Sequence, residues 1–308
     1  MELTGGVWPA MFTPLTEERQ PDLAMIEQLS EALLAEGAEG IYLLGGAGQG
    51  LALRLEHRKQ VTQHICQQMA GRLSVIVHVG CLTTEDAIEL ARHAAGCGAD
   101  GVSAVPPIYF PSNADVEMEH YRRIAAATQL PFIPYVNTVD IGEPPLPAVE
   151  YAKRLMDLPN IAGMKLTTPN LYTIGLLQQY TGPELKIYSG ADTVVGFAAL
   201  CGVHGSIGVT YNYWGKAVRH VWNALHNGDL ELVRRFMAVF QVTIDELVRS
   251  DSFYQFNRAA VKLRHNVDIG PGRAPYCAVG HSWSDEQVSQ MLSTVDRAAG
   301  LSGLDQPA

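Results

Sequence analysis

Ile161-Ala-Gly-Met-Lys-Leu-Thr-Thr168 is a short apolar run with a single lysine, Lys165, at its centre, and it reads as a buried strand ending at Thr167. An unpaired ammonium is costly in a low-dielectric interior, so a lysine placed there tends to lose its proton. The neutral amine is then a nucleophile toward carbonyl carbon, as Schiff-base lysines are. The other reading of this residue is a lysine whose stem crosses the core while its head reaches a carboxylate or water.

Working outward, the same kind of run recurs. Val7–Thr13, Gly40–Gly46, Ser74–Gly80, Gly101–Pro107 and Pro131–Asn137 precede the lysine run, and Lys186–Gly190 and Gly205–Thr210 follow it. Between them lie amphipathic segments near Asp22–Glu36, Arg54–Ala70, Thr83 onward, Asp115–Ala127, Leu146–Met156, Asn170–Tyr180 and Asp192–Leu200, with another from Trp214. Eight strand-then-helix units with near-continuous apolar strands predict a closed parallel (β/α)8 TIM barrel over residues 1–227. An open doubly wound sheet would carry a G-x-G-x-x-G stretch after its first strand, and none follows Val7–Thr13. Residues 228–308 read as a C-terminal helical extension packed on the barrel, with helices near Leu230–Arg249, Tyr254–Asn266 and Ser284–Ala299. The pieces Gly37-Ala-Glu-Gly40 and Gly98-Ala-Asp-Gly101 fit helix-to-strand turns with a glycine at positive φ.

A barrel of this kind carries its site at the C-terminal ends of the strands. That rule selects Thr13, Gly45–Gly48, Gly80, Pro106-Pro107, Tyr135, Lys165 with Thr167, Gly190 with Asp192, and Gly208–Thr210. Most are small and leave room for a ligand beside Lys165. Tyr135 closes the neighbouring strand, where its phenol can move protons, or serve only as a rim tyrosine with a satisfied hydroxyl.

These residues resemble the pyruvate-dependent class I aldolases that include N-acetylneuraminate lyase and dihydrodipicolinate synthase. The resemblance runs through Gly6-Val-Trp-Pro-Ala-Met-Phe-Thr-Pro14, Gly98-Ala-Asp-Gly-Val-Ser-Ala-Val-Pro-Pro107 with Tyr109, Tyr135, Gly163-Met-Lys165 and Gly270-Pro-Gly-Arg273 with Pro275. It implies that Lys165 forms an imine with a 2-oxo acid, that Tyr135 shuttles protons, and that Tyr109 enters a neighbouring subunit's site in a homotetramer. The iminium is itself the electron sink, so neither metal nor organic cofactor is called for. Substrate contacts carry over to Ala47, Gly48, Thr167, Gly190, Asp192 and Ile207, with Asp140 where the synthases place an arginine for a second carboxylate. The usual hydroxyl pair is replaced by Ala47 and Gly48, and the usual Tyr-Asn-x-Pro reads Tyr135-Val-Asn-Thr138.

The expected activity is therefore a carbon–carbon lyase or aldolase acting on a hydroxylated 2-oxo acid. The alternatives are a dehydratase or deaminase working through the same imine, and a ligand-binding barrel that lost catalysis with its hydroxyl relay. A net charge of −10 offers no basic footprint for nucleic acid or an anionic membrane. No apolar run is long enough to span a bilayer. Five scattered cysteines without a C-x-x-C pair read as free thiols, and with no signal peptide evident the expected location is the cytoplasm. His57 with His64, and Cys277 with His281, lack further ligands and read as surface or packing residues. His78 reads as a satisfied core histidine, and His204 as part of the turn entering the eighth strand.

Overall fold

The apolar runs pair side by side in one direction. A computed structural model describes residues 3–274 and 280–303 of the chain. Its strands are β1 (Gly6–Pro9), β2 (Gly40–Leu43), β3 (Ser74–His78), β4 (Gly101–Ala104), β5 (Phe132–Asn137), β6 (Gly163–Thr167), β7 (Lys186–Ser189) and β8 (Gly205–Gly208). The helices that follow them are α1 (Leu23–Ala35), α2 (Leu55–Met69), α3 (Thr84–Gly96), α4 (Ala114–Ala125), α5 (Ala148–Met156), α6 (Leu171–Thr181), α7 (Val195–Leu200) and α8 (Tyr211–His226). The ladder runs β1-β8-β7-β6-β5-β4-β3-β2. Its ends meet where Ala10 bridges Tyr42 and the Met11 N–H donates to the Tyr42 carbonyl at 3.0 Å. The expected (β/α)8 barrel is therefore the fold, and α9 (Leu230–Arg249), α10 (Phe253–His265) and α11 (Asp285–Ala298) form the helical extension.

Alternation along the strands sorts the side chains into two cores. Trp8, Tyr42, Ile76, Ile133, Tyr188 and Ile207 point inward and fill the barrel. Residues of opposite parity, such as Val7, Ile41, Val75, Phe132, Met164 and Ile187, pack outward among the helices. The ladder stops before the apolar runs do: β1 ends at Pro9 rather than Thr13, and β2 at Leu43 rather than Gly46. Leu44 has φ 61°, which turns the chain out of the sheet. The leftover residues form the barrel's rim.

Side-chain caps start several helices. Asp22, Thr83, Asn113, Asn170 and Asp229 each accept a backbone N–H from the first turn of α1, α3, α4, α6 and α9. Ser284 and Gln287 form a capping box on α11. Each such cap is worth about 1 kcal/mol. Gly37 and Gly98, at φ 85° and 83°, occupy the predicted left-handed positions after α1 and α3. After β7 the expected helix is split. Asp192–Val194 is a 3-10 turn before α7, and the Asp192 carboxylate bonds across to Thr210 instead of capping its own helix.

The extension is tied to the barrel by Tyr213 Oη donating to Asn257 Oδ1 at 2.8 Å, Gln241 Nε2 to Thr193 O at 2.7 Å, and a contact of His265 Nε2 with Asn212 O at 2.8 Å. These bonds bring the start of α10 over the C-terminal mouth of the barrel. Pro275 and Cys277 lie outside the described residues, as does the end of the extension past 303. Among the described residues, no helix is long and apolar enough to cross a membrane.

Candidate active site

On β5 and β6, Tyr135 pairs with Lys165 and Asn137 with Thr167. Equal parity points all four side chains toward the barrel axis and its mouth. Lys165 is 4% exposed, and its Nζ lies 4.1 Å from the centroid of the Tyr42 ring and 4.2 Å from that of Tyr135. Burial pushes the lysine down from 10.5 to about 7, partly offset by the nearby Asp192 carboxylate. An amine in this state is substantially neutral at physiological pH and competent to attack a carbonyl.

The walls around it are aromatic. Tyr42 is fully buried, and its hydroxyl shares a 2.9 Å hydrogen bond with Ser103 Oγ. His78 packs near the Tyr42 and Tyr135 rings, at centroid separations of 6.2 and 6.3 Å. It is a buried core histidine, as expected, with the Leu44 backbone within hydrogen-bonding influence of its ring. Burial, then the Arg58 cation, and Lys165 whenever it is protonated, hold His78 neutral well below its ordinary pKa. Arg58 is itself buried and donates to the carbonyls of His78 and Gly80, fastening the end of β3.

Above Lys165 opens a cavity of about 440 Å³. Ala10, Phe12, Gly46 and Ala47 line one side; Tyr135, Asp140, Lys165, Thr167, Gly190, Ile207 and Val209 line the floor and far wall. Asp251, Phe253, Tyr254 and Asn257 reach in from the extension. Gly190 has to be glycine, because a Cβ there would overlap the Thr167 hydroxyl and stand 3.1 Å from Lys165 Cε. The Tyr135 hydroxyl lies 3.2 Å from Thr167 Oγ1 and accepts from Asn137 Nδ2 at 3.1 Å.

Of the ten residues given a catalytic or substrate-contact role from sequence, seven share one cavity: Ala47, Tyr135, Asp140, Lys165, Thr167, Gly190 and Ile207. Three others sit apart from its lining. The Gly48 carbonyl accepts from the Thr13 hydroxyl at 2.8 Å, at the back of the loop after β2. Asp192 is buried, with Oδ2 taken by the N–H and hydroxyl of Thr210 at 2.8 and 2.7 Å, and it acts on Lys165 through its field. Tyr109 is 90% exposed on the loop after β4, at φ 76°, with its ring edge-on to Phe110.

Sequence reasoning missed Tyr42, Asn137 and the extension's contribution. Inward parity on β2 was the available signal for Tyr42; nothing local marks Phe253 or Asn257, which depend on how α10 packs. His204 does enter β8 through a turn, with its N–H on the Ile187 carbonyl. His64 pairs with Glu27 at 3.4 Å, and His281 Nδ1 with Ser252 Oγ at 2.9 Å. Among the described residues, no three His, Cys, Asp or Glu side chains are grouped to hold a metal ion.

Residues 3–294 match the profile of the dihydrodipicolinate synthetase family. An N-acetylneuraminate lyase of Escherichia coli is 29% identical over 265 residues, covering 86% of this chain and 87% of the lyase. Among solved structures, the sialic acid aldolase of Ruminococcus gnavus superposes with a TM-score of 0.89 at 25% identity, over 97% of this chain and 99% of its own. The N-acetylneuraminate lyase of Proteus mirabilis gives 0.84 at 26% identity, over 96% and 99%.

Proposed function

Because the chain belongs to the dihydrodipicolinate synthetase family, we propose that Lys165 attacks the C2 carbonyl of a 2-oxo acid and forms an imine during aldol cleavage or synthesis. The observation that carries this reading is a buried lysine, lowered to about 7, at the floor of a cavity large enough for a sugar-acid-sized ligand. In the cleavage direction Tyr135 gives a proton to the departing carbinolamine hydroxyl, and water leaves. The C3–C4 bonding pair then flows into the iminium, the C4 hydroxyl proton passes to the phenolate, and an aldehyde departs. Protonation of the enamine at C3 and hydrolysis release pyruvate and the free lysine.

The missing hydroxyls at Ala47 and Gly48 leave backbone to do the carboxylate's work. Ala47 lines the cavity and its N–H is engaged by no other described residue, so a carboxylate seated there gains a backbone donor without a side chain. At the far end, Asp140 and Asp251 face the cavity, which disfavours a second carboxylate on the substrate. Phe12, Ile207, Val209 and Phe253 make the remaining wall apolar. The substrate we propose is a hydroxylated 2-oxo acid, smaller or less polar than sialic acid, with aspartate semialdehyde a poor partner. Tyr109, exposed and rigidly held between prolines, is proposed to complete a neighbour's site within a homotetramer.

Steady-state assays test the substrate class. A panel of 2-keto-3-deoxy sugar acids is compared with pyruvate plus aspartate semialdehyde, and products are identified by mass. Pyruvate and an aldehyde from the sugar acids support the proposal. Efficient condensation with the semialdehyde, and no turnover of any hydroxylated acid, contradicts it.

A further inference from the structure

Asn137 follows Tyr135 by two residues on β5, so both side chains face the mouth of the barrel. Its amide orientation is fixed by its surroundings. Oδ1 accepts the N–H groups of Val139 and Asp140, both at 3.1 Å, a role that an amide nitrogen cannot fill. Nδ2 therefore faces the Tyr135 oxygen at 3.1 Å and Asp140 Oδ2 at 2.7 Å. An amide nitrogen only donates, so the phenol oxygen is the acceptor in this contact and its own proton points elsewhere. Thr167 Oγ1, in the cavity wall beside Lys165, is 3.2 Å from that oxygen.

We infer that Asn137 is a positioning residue for Tyr135: it holds the phenol oxygen from behind, turns its proton into the cavity, and donates to the oxygen once that proton has left. Asp140 accepts the other amide hydrogen and locks the group in place. A hydrogen bond to an ionised acceptor is roughly twice as strong as one between neutral groups, so the contact with Asn137 strengthens as the phenolate forms. Asp140 thereby has a second task besides facing the substrate. The chain Thr167–Tyr135–Asn137–Asp140 lies wholly on β5, β6 and the loop after β5, and it owes nothing to the loop that lost its hydroxyls.

The inference rests on the imine reading of Lys165, and the test separates the two. Pyruvate is the probe. Reductive trapping with borohydride reports imine formation, and exchange of the methyl hydrogens for deuterium, followed by NMR, reports proton transfer at C3. Asn137→Leu removes the whole network. Asn137→Asp keeps oxygens for the Val139 and Asp140 N–H groups but, when ionised, has no hydrogen to donate to Tyr135, so it decides the question even if the leucine variant folds poorly. For both variants we expect trapping at Lys165 to persist, kcat for exchange to fall about 10- to 100-fold, and KM for pyruvate to stay within about twofold. The Asn137→Asp loss should deepen with rising pH, as a carboxyl proton that can substitute for the amide donor is removed. Wild-type kcat in Asn137→Asp, or a defect confined to KM, overturns the positioning role while leaving the imine reading intact. A wild-type protein that neither traps nor exchanges pyruvate overturns the imine reading, and this inference with it.

Discussion

The amine of Lys165 lies 4.1 Å from the centroid of the Tyr42 ring, a contact between β6 and β2 across the barrel interior. Two effects oppose each other there. Burial favours the neutral amine, while the negative face of the ring favours the ammonium by about 0.5–2 kcal/mol. Burial wins, since the lysine is brought down to about 7. Removing the ring face should therefore lower it further. Tyr42→Leu is expected to move the pH midpoint of borohydride trapping down by roughly 0.5–1 unit. Tyr42→Phe, which keeps the face and loses only the Ser103 bond, should leave the midpoint in place. Equal midpoints in all three proteins would show that the ring is packing alone.

The same buried lysine makes stability depend on pH. Below about 7 both folded and unfolded chains carry the proton, and the folded state bears the full desolvation penalty. Between 7 and 10.5 the unfolded chain binds a proton that the folded chain lacks, so stability rises with pH. Above 10.5 both forms are neutral and the penalty is gone. At 1.36 kcal/mol per unit the whole span is on the order of 5 kcal/mol. Lys165→Met should be more stable than wild type below pH 7, and its advantage should shrink toward pH 10.5. Urea unfolding across that range measures it; an advantage independent of pH would mean that the penalty lies elsewhere.

Restoring hydroxyls to the loop after β2 should succeed at one position and fail at the next. Ala47 lines the cavity, so Ala47→Ser adds one oxygen into open space and should shift stability by less than about 0.5 kcal/mol. A Cβ on Gly48 would stand 2.9 Å from Met11 O and 3.1 Å from Thr13 Oγ1. Gly48→Thr should cost about 1–3 kcal/mol by overpacking. Thermal unfolding of the two variants checks this, and a Gly48→Thr protein as stable as wild type would contradict it.

Tyr109 and Phe110 expose 90% and 63% of their surface on one loop, an apolar pair left largely open by the described residues. Light scattering at micromolar concentration should find a homotetramer, and Tyr109→Ala should slow turnover without preventing trapping at Lys165. A monomeric wild-type protein would rule out the shared site.

Much of the fold was legible because each strand is an apolar run bounded by glycine, proline or a capping residue, and α9 spans the residues expected of it. Lys165 announced itself as a charge in the middle of such a run, whereas Lys186 only opens its own. Tyr42 did not, because an aromatic in a strand looks like core until the register places it opposite the lysine. Asn137 was hidden for a different reason: its role comes from an amide orientation set by two backbone N–H groups of a turn that no residue pattern specifies. The lining from α10 depends on contacts more than 40 residues distant in sequence, such as Tyr213 with Asn257. Asp192 was selected by its place at a strand end, and only the resemblance gave it a substrate contact; the bonds of its carboxylate to the N–H and hydroxyl of Thr210 depend on the fold and no residue pattern announces them.

The central claim is that Lys165 is the imine-forming nucleophile. Incubation with pyruvate and borohydride, then peptide mapping by mass spectrometry, tests it most directly. A stoichiometric adduct on Lys165, absent in Lys165→Arg because a guanidinium stays charged, is the predicted result. An adduct on another lysine, or none at saturating pyruvate, would contradict the account.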